Sequence, residues 1–438
     1  MTKLRNRVAT ERGTSLPAAA LTLVALGLGG CASAQGGPVE RVDAIQASAE
    51  VPEAELLDVG IEVFADGVDP EWDQAILNEK GVFPDIRKAE GRYFAILLKR
   101  TLESTGHWGA VRVVPKLAEG VDLTISGEIV ESNGKRLAIR VLAVDARGRE
   151  WLDREYKAEA DTLAYVMHQE RAQAARRGES SPAAAGKQLD PYQSLYNRIA
   201  NDLLDERRDI DTGEVHEIRR TSELRFAADL APQAFSSHLS RDGKGRYGVE
   251  RLPAEGDPML ARVARIRQRD YFFVDTLNDH YANFFERMDP PYDEWRLYSF
   301  EEQLALDEIR RKSKLHKILG GVLAVGGLIL GDGDSYGEST IKDAAVIGGV
   351  ALIADGVRRG REAAIHEAAL MELATSLEGD VEPMLIDVEG RTLRLSGSAE
   401  TQFETWRLLL REAFESETGL PVDPNTGRPV PVASTPEG

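Results

Sequence analysis

Residues 121–144 read VDLTISGEIVESNGKRLAIRVLAV. Apolar side chains alternate with other residues through Val121–Val130 and again through Leu137–Val144, the period at which strand side chains fall on one face. Between the two runs lies Ser132-Asn133-Gly134, and Asn-Gly is the strongest short hairpin signal. Asp145–Gly148 is a second turn, and Glu150–Ala158 continues as a further strand. Upstream, Ala110–Pro115 is a short strand, and Leu56–Ala65 sets Val59, Ile61 and Val63 on one face. Pro84–Thr105 carries Ile86, Ala89, Tyr93, Ile96, Leu97 and Leu102 at helical spacing and ends at Gly106-His107-Trp108-Gly109. Tyr192–Leu204 is a closing helix. The fold class is α+β, beginning with a β-α-β-β-β-β-α domain over residues 53–206. Tyr93, Trp108 and Tyr156 are expected in its packing faces.

Two stretches of this domain have a family look. One is Glu90-Gly-Arg-Tyr93 with Leu98, Leu102, Trp108-Gly109-Ala110-Val111 and Val114-Pro115. The other is Val121–Ile129 with Leu137, Val141, Val144-Asp145 and Gly148. Together they resemble the ABC-type transport auxiliary lipoproteins, and also the amino-terminal domain of the Tol-Pal translocation protein and the curli secretion lipoprotein. The likeness covers about a third of the 438 residues and holds no catalytic residue. It implies a periplasmic binding or assembly module. The chain departs from it by Gln169–Gly186, which reads as an exposed loop.

The amino terminus has the three zones of a secretory signal: Lys3, Arg5 and Arg7, then the apolar run Leu16–Leu28, then Leu28-Gly29-Gly30-Cys31. The last resembles the lipobox of bacterial lipoproteins. It implies a signal peptide over 1–30, cleavage between Gly30 and Cys31, and a diacylglycerol on the Cys31 thiol. An ordinary cleavage site near Ala34 is the alternative. Ala32, where an aspartate signals inner-membrane retention, favours an outer-membrane lipoprotein facing the periplasm. Residues 31–52 are small and polar and are expected to be a flexible tether. Cys31 is the only cysteine, so an internal disulfide is excluded.

Residues 207–312 form a charged helical region. Phe226–Leu239 and Pro258–Met288 have helical periods, and Tyr271, Phe272, Leu277, Tyr281, Phe284 and Phe285 make a stripe read as a packing face. Pro290-Pro291 is expected to break the helix before Tyr298–Lys317 resumes it. Residues 313–357 read as a glycine-rich helical hairpin with arms Ile318–Gly331 and Ala344–Val357. Small residues recur four apart, at Gly320 and Ala324, Gly327 and Gly331, Ala344 and Gly348, Ala345 and Gly349, a spacing that lets helix backbones approach closely. Each arm has 14 residues, against about 20 for a full membrane span. A packed soluble pair, a hairpin dipping into a membrane and a self-association face all fit. Residues 358–420 read as a small α-β-β-α unit and 421–438, with five prolines, as a disordered tail.

The charge is −19, of which the first 30 residues contribute +3 (Lys3, Arg5, Arg7 and Arg12 against Glu11), leaving −22 on the remainder. With no basic patch visible along the chain, nucleic acid is not an expected partner. None of His107, His168, His216, His238, His280, His316 and His366 pairs at zinc-helix spacing. Asp275, Asp279 and His280 are the nearest approach to an acid/base cluster and read as a solvated face. The loop opening Asp332-Gly-Asp334 echoes a calcium loop, but Tyr336 stands where a ligand is needed. No metal or cofactor is expected. The sequence points to a non-enzymatic envelope lipoprotein with a structural, assembly or partner-binding role. It would be held to the membrane through Cys31 and would engage an envelope protein or a second copy of itself. The alternative is an accessory lipoprotein of an envelope lipid or ABC-type transport system.

Overall fold

The strands read from the sequence assemble into one mixed sheet. The computed structural model describes residues 41–114, 120–177, 190–327, 384–388, 391–395 and 398–418. Strand β1 (Val59–Glu62) lies between and parallel to β2 (Val111–Val114) and β3 (Leu123–Ser132). Strands β3, β4 (Arg136–Asp145) and β5 (Glu150–Glu159) then run antiparallel, giving the order β2-β1-β3-β4-β5. A short helix α1 (Gln74–Lys80) precedes α2 (Pro84–Thr105). Helix α2 is the crossover between the parallel strands β1 and β2, which need a connection of that length. Pro84 opens α2 at its first turn, and Gly106 closes it in the left-handed conformation at φ 70°. Ile86, Tyr93, Phe94, Leu98 and Leu102 are buried against the sheet, beside Ile125, Ile129, Ile139 and Val141.

Helix α3 (Thr162–Arg176) follows β5, and α4 (Gln193–Arg208) packs on β5 and α2. Two expectations are corrected here. The stretch expected as a loop from Gln169 is helical through Arg176, because Tyr165 and His168 on the same helix are buried. The described part of the expected tether is also fixed. Asn197 and Asn201 of α4 donate to the carbonyls of Val42 and Asp43, at 2.8 and 3.0 Å. The Ile45 N–H donates to Asn201 Oδ1 at 2.9 Å, and the Ala47 N–H to the Thr105 carbonyl at 2.8 Å.

Helix α5 (Thr212–Leu230) begins at Asp211, whose carboxylate accepts from the Glu214 N–H at 2.9 Å. The helical period read over Phe226–Leu239 is present but interrupted at Ala231: a single α-helical turn, Pro232–Phe235, and a 3-10 turn, Ser236–His238, follow α5. The chain then forms a small hairpin, β6 (Leu239–Arg241) with β7 (Tyr247–Val249). Helix α6 then runs unbroken for 70 residues, Pro258–Gly327, with Pro290 and Pro291 inside it. The expected break does not occur. Met288, Tyr292, Trp295 and Arg296 around the prolines are all buried, and this packing offsets the missing N–H groups and ring crowding, which cost about 3 kcal/mol or more per proline. The stripe expected as a packing face is one: Leu277, Tyr281, Phe284 and Phe285 are buried, while Phe272 is exposed.

Helix α6 also packs on the β2 edge of the sheet. Asn278 Oδ1 accepts from the Val113 N–H at 2.8 Å, and its Nδ2 donates to the Val113 carbonyl at 2.9 Å. One side chain thus satisfies both edge groups, which would otherwise invite pairing with another chain. Strands β8 (Met384–Val388) and β9 (Arg391–Leu395) form the expected carboxy-terminal hairpin, followed by α7 (Ala399–Thr418). Phe403, Trp406, Leu410 and Phe414 are buried on α7, and Trp406 stacks on Phe273 of α6 at 5.2 Å. Among the described residues no helix is long and apolar enough to cross a membrane.

Candidate functional site

The most unusual chemistry lies where α6 crosses the β3–β4 turn and the start of α2. It begins with the turn. Asn133 Oδ1 accepts from the N–H groups of Lys135 and Arg136, and Gly134 sits at φ 75°. The Gly134 carbonyl accepts from the hydroxyls of both Tyr165 and Tyr192. A Cβ at Gly134 would stand 2.6 Å from the Arg296 carbonyl oxygen and 2.6 Å from the Phe300 nitrogen. The turn therefore needs glycine twice, for its backbone conformation and for the close approach of α6.

Arg296 is the centre of the contact, 1% exposed. It donates to Asp190 at 2.7 Å and to Asp293 at 2.5 Å, with its guanidinium over the rings of Tyr292 and Tyr93 at 4.6 and 5.6 Å. Asp293 also meets His168 of α3 at 2.5 Å. One turn earlier, Asp289 accepts from the Tyr93 hydroxyl at 2.6 Å. Glu90 of α2, fully buried, accepts from Tyr292 at 2.6 Å and Ser132 at 2.7 Å and lies 3.5 Å from Arg87. Tyr93 stacks on Phe285 at 4.5 Å, which packs the hydroxyl network on an aromatic floor. Five elements thus meet through buried charge.

Burial and charge pull these groups in opposite directions. Burial pushes the Glu90 carboxyl above its usual range, only partly offset by Arg87 and the Tyr292 and Ser132 hydroxyls. Burial, reinforced by the Asp293 carboxylate, also raises Asp289. Burial works against the charge on Asp293, yet Arg296 and His168 hold it below the ordinary value. The same burial opposes an imidazolium at His168, and the Asp293 carboxylate overcomes it and raises that group. The set carries charge in a dry interior, where truncating one partner exposes the others to the full desolvation penalty. Chemically it is a clamp: it holds a helix to a sheet in one register.

The residues singled out in the sequence fall elsewhere. Gly320, Ala324 and Gly327 lie on the final turns of α6. Gly331, Ala344, Ala345, Gly348 and Gly349, and with them the second arm, lie outside the described residues, as do Gly30, Cys31, the Asp332–Asp343 loop and the tail. Asp275 does not join Asp279 and His280 in a cluster. It forms a forked pair with Arg112, with its oxygens at 2.6 and 3.3 Å from the guanidinium. Among the described residues no group of three His, Cys, Asp or Glu side chains could hold a metal. The clamp residues were missed, although one signal was visible: Glu90 stands between Ala89 and Gly91 on the apolar side of α2. Asp289, Asp293 and Arg296 also share one helix face by spacing. No protein family, no curated protein and no solved structure matches the chain.

Proposed function

We propose that this protein is a non-enzymatic envelope lipoprotein, anchored through Cys31 after cleavage behind Gly30, and acting as a structural or assembly component. The observation that carries the reading is the long helix. Its Leu277–Phe300 stretch is held by the clamp and by the aromatic stripe, and Asp307 further along pairs with Lys135 of the sheet domain at 2.7 Å. The helix continues from there for 20 residues to Gly327, roughly 30 Å at 1.5 Å per residue. A lipid-anchored body carrying a fixed helical arm suits a protein that holds a small-residue helix face at a set distance for an envelope partner or a second copy. On the sheet, the β2 edge is capped at Val113 by Asn278.

The test is crosslinking of the full-length, tagged protein in cells, followed by affinity purification and fractionation. Wild type should sediment with membranes and give discrete adducts. Cys31→Ser should remain an unprocessed precursor, and Gly327→Leu should lose the adducts while staying anchored. An unmodified Cys31 in mature protein would remove the lipoprotein reading. Adducts unaffected by Gly327→Leu would remove the arm.

A further inference from the structure

The sequence shows no basic patch, yet the fold builds one. Between α5 and the β6–β7 hairpin lies a cleft of about 310 Å³ lined by Arg225, Asp229, Ser236, Ser240, Arg241 and Tyr247. The guanidinium groups of Arg225 and Arg241 both sit over the Tyr247 ring, at 4.6 and 5.3 Å. The ring fixes two cations that would otherwise repel each other. Backbone carbonyls orient them further: Arg225 donates to Ala146 at 2.9 Å, and Arg241 donates through Nε to Gly245 at 3.2 Å. Among the described residues Arg241 has no carboxylate partner.

The acidic residue in the lining does not cancel this charge. Asp229 accepts from both Arg407 and Arg411 of α7, so its carboxylate is already matched by two guanidinium groups. The hairpin stretch 239–251 adds Lys244, Arg246 and Arg251 to Arg241, against Asp242 and Glu250, in a chain of charge −19. Asp242 is itself engaged by the N–H groups of Lys244 and Arg246, both at 2.8 Å. Positive charge is therefore concentrated where an acidic protein has least reason to place it, and the volume is that of a small-ligand site.

We propose that this cleft binds a phosphate-bearing ligand, either a soluble phosphate monoester or the phosphodiester headgroup of an anionic phospholipid. Guanidinium forks match oxyanion geometry, and Arg241, which has no carboxylate partner among the described residues, can offer its terminal N–H groups to a phosphate in a cleft also lined by Arg225, Ser236 and Ser240. A phosphate presents three or four oxygens and can use the set. The inference is independent of the arm and of the anchor.

Isothermal titration of the full-length chain, in a maltoside detergent and a phosphate-free buffer, tests it. The probes are inorganic phosphate, glycerol 3-phosphate and dihexanoyl phosphatidylglycerol, with glycerol as the uncharged control. At least one phosphate probe should bind saturably and glycerol should not. Arg241→Gln, which changes a residue of the hairpin surface, should weaken that binding roughly tenfold or more, the worth of one charge-assisted contact. Arg140→Gln, on the sheet beside Asp153, should leave it unchanged. Binding confined to the first two probes identifies a soluble phosphate, and binding confined to the third identifies a lipid headgroup. Saturable heat from none of the three, or equal affinity in wild type and Arg241→Gln, overturns the proposal.

Discussion

Replacing Arg296 by Met should be among the most damaging single changes in this protein. The substitution keeps the length and the apolar stem but removes the charge. Asp190, 5% exposed, then loses its 2.7 Å partner, and Asp293 loses its 2.5 Å partner while keeping His168. The guanidinium contact with the Tyr292 ring goes as well. Breaking a buried ion pair from one side costs about 3–5 kcal/mol, a large share of the roughly 5–15 kcal/mol that holds a typical domain folded. The exposed Arg140–Asp153 pair at 2.8 Å is the matched control, and its loss should cost about 1 kcal/mol at most. Urea unfolding gives the global loss. Hydrogen exchange over residues 284–300 gives the local one, which should rise between roughly a hundredfold and several thousandfold. A third variant separates charge from packing. Arg296→Met combined with Asp190→Asn and Asp293→Asn removes Arg296 together with its two carboxylate partners, and should recover most of the loss, because neutral replacement of a buried triad is often nearly neutral. A loss below about 1 kcal/mol in the single variant, or a triple variant as unstable as the single, would refute the clamp as the fastening of α6.

Three further outcomes follow from the same geometry. Gly134→Ala should cost more than Gly148→Ala in a thermal melt: both glycines have positive φ, worth about 1–2 kcal/mol of backbone strain, but the added Cβ overlaps backbone at 2.6 Å at Gly134 and only touches backbone at 3.4 Å at Gly148. Asn278→Leu should accelerate exchange of the Val113 amide and lower stability by about 1–3 kcal/mol, since a donor and an acceptor on the edge strand lose their partner together. His168 has a raised folded-state pKa, so its pairing with Asp293 stabilises the protein fully below 6.5 and progressively less as pH rises through that elevated value. His168→Gln should therefore flatten the decline of unfolding free energy above pH 6.5, and leave in place the decline that starts above 4.5 from the raised carboxyl of Glu90; an unchanged profile above 6.5 would remove His168 from the clamp.

The sheet was legible because its signals are local. Asn133-Gly134 fixes a turn by its own backbone chemistry, and the alternation on either side fixes which face is buried. Helix α2 was bounded to the residue, Pro84–Thr105, by a proline that suits a first helical turn and a glycine that suits a left-handed end. The β6–β7 hairpin was not read, although Asp242-Gly243 lies in its turn, because strands of three residues carry too little alternation to compete with the helical period before them. The arginine cleft was invisible for a different reason. Arg225, Arg241, Arg407 and Arg411 are spread over 187 positions of the chain, and only packing α5, the hairpin and α7 together makes them neighbours.

Pro290-Pro291 shows why a rule that holds locally fails here. In an isolated peptide two adjacent prolines end a helix, since two N–H groups are missing and both rings crowd the preceding turn. In this chain the prolines sit between Phe285, which stacks on Tyr93, and Tyr292, which meets the same ring edge-on, and between Asp289 and Arg296, which tie α6 to α2 and to Asp190. The contacts of Tyr292, Asp293 and Arg296 require α6 to continue past the prolines in helical register, because Asp289, Asp293 and Arg296 fall on one face only at 3.6 residues per turn. The backbone deficit and the buried charges are therefore parts of one arrangement. The charges could not be held dry without the helix, and the helix would not pass the prolines without the charges and rings. The register this imposes at residues 285–300 is carried along the same helix to Gly320 and Gly327, about 36 and 46 Å beyond Arg296 by helical rise.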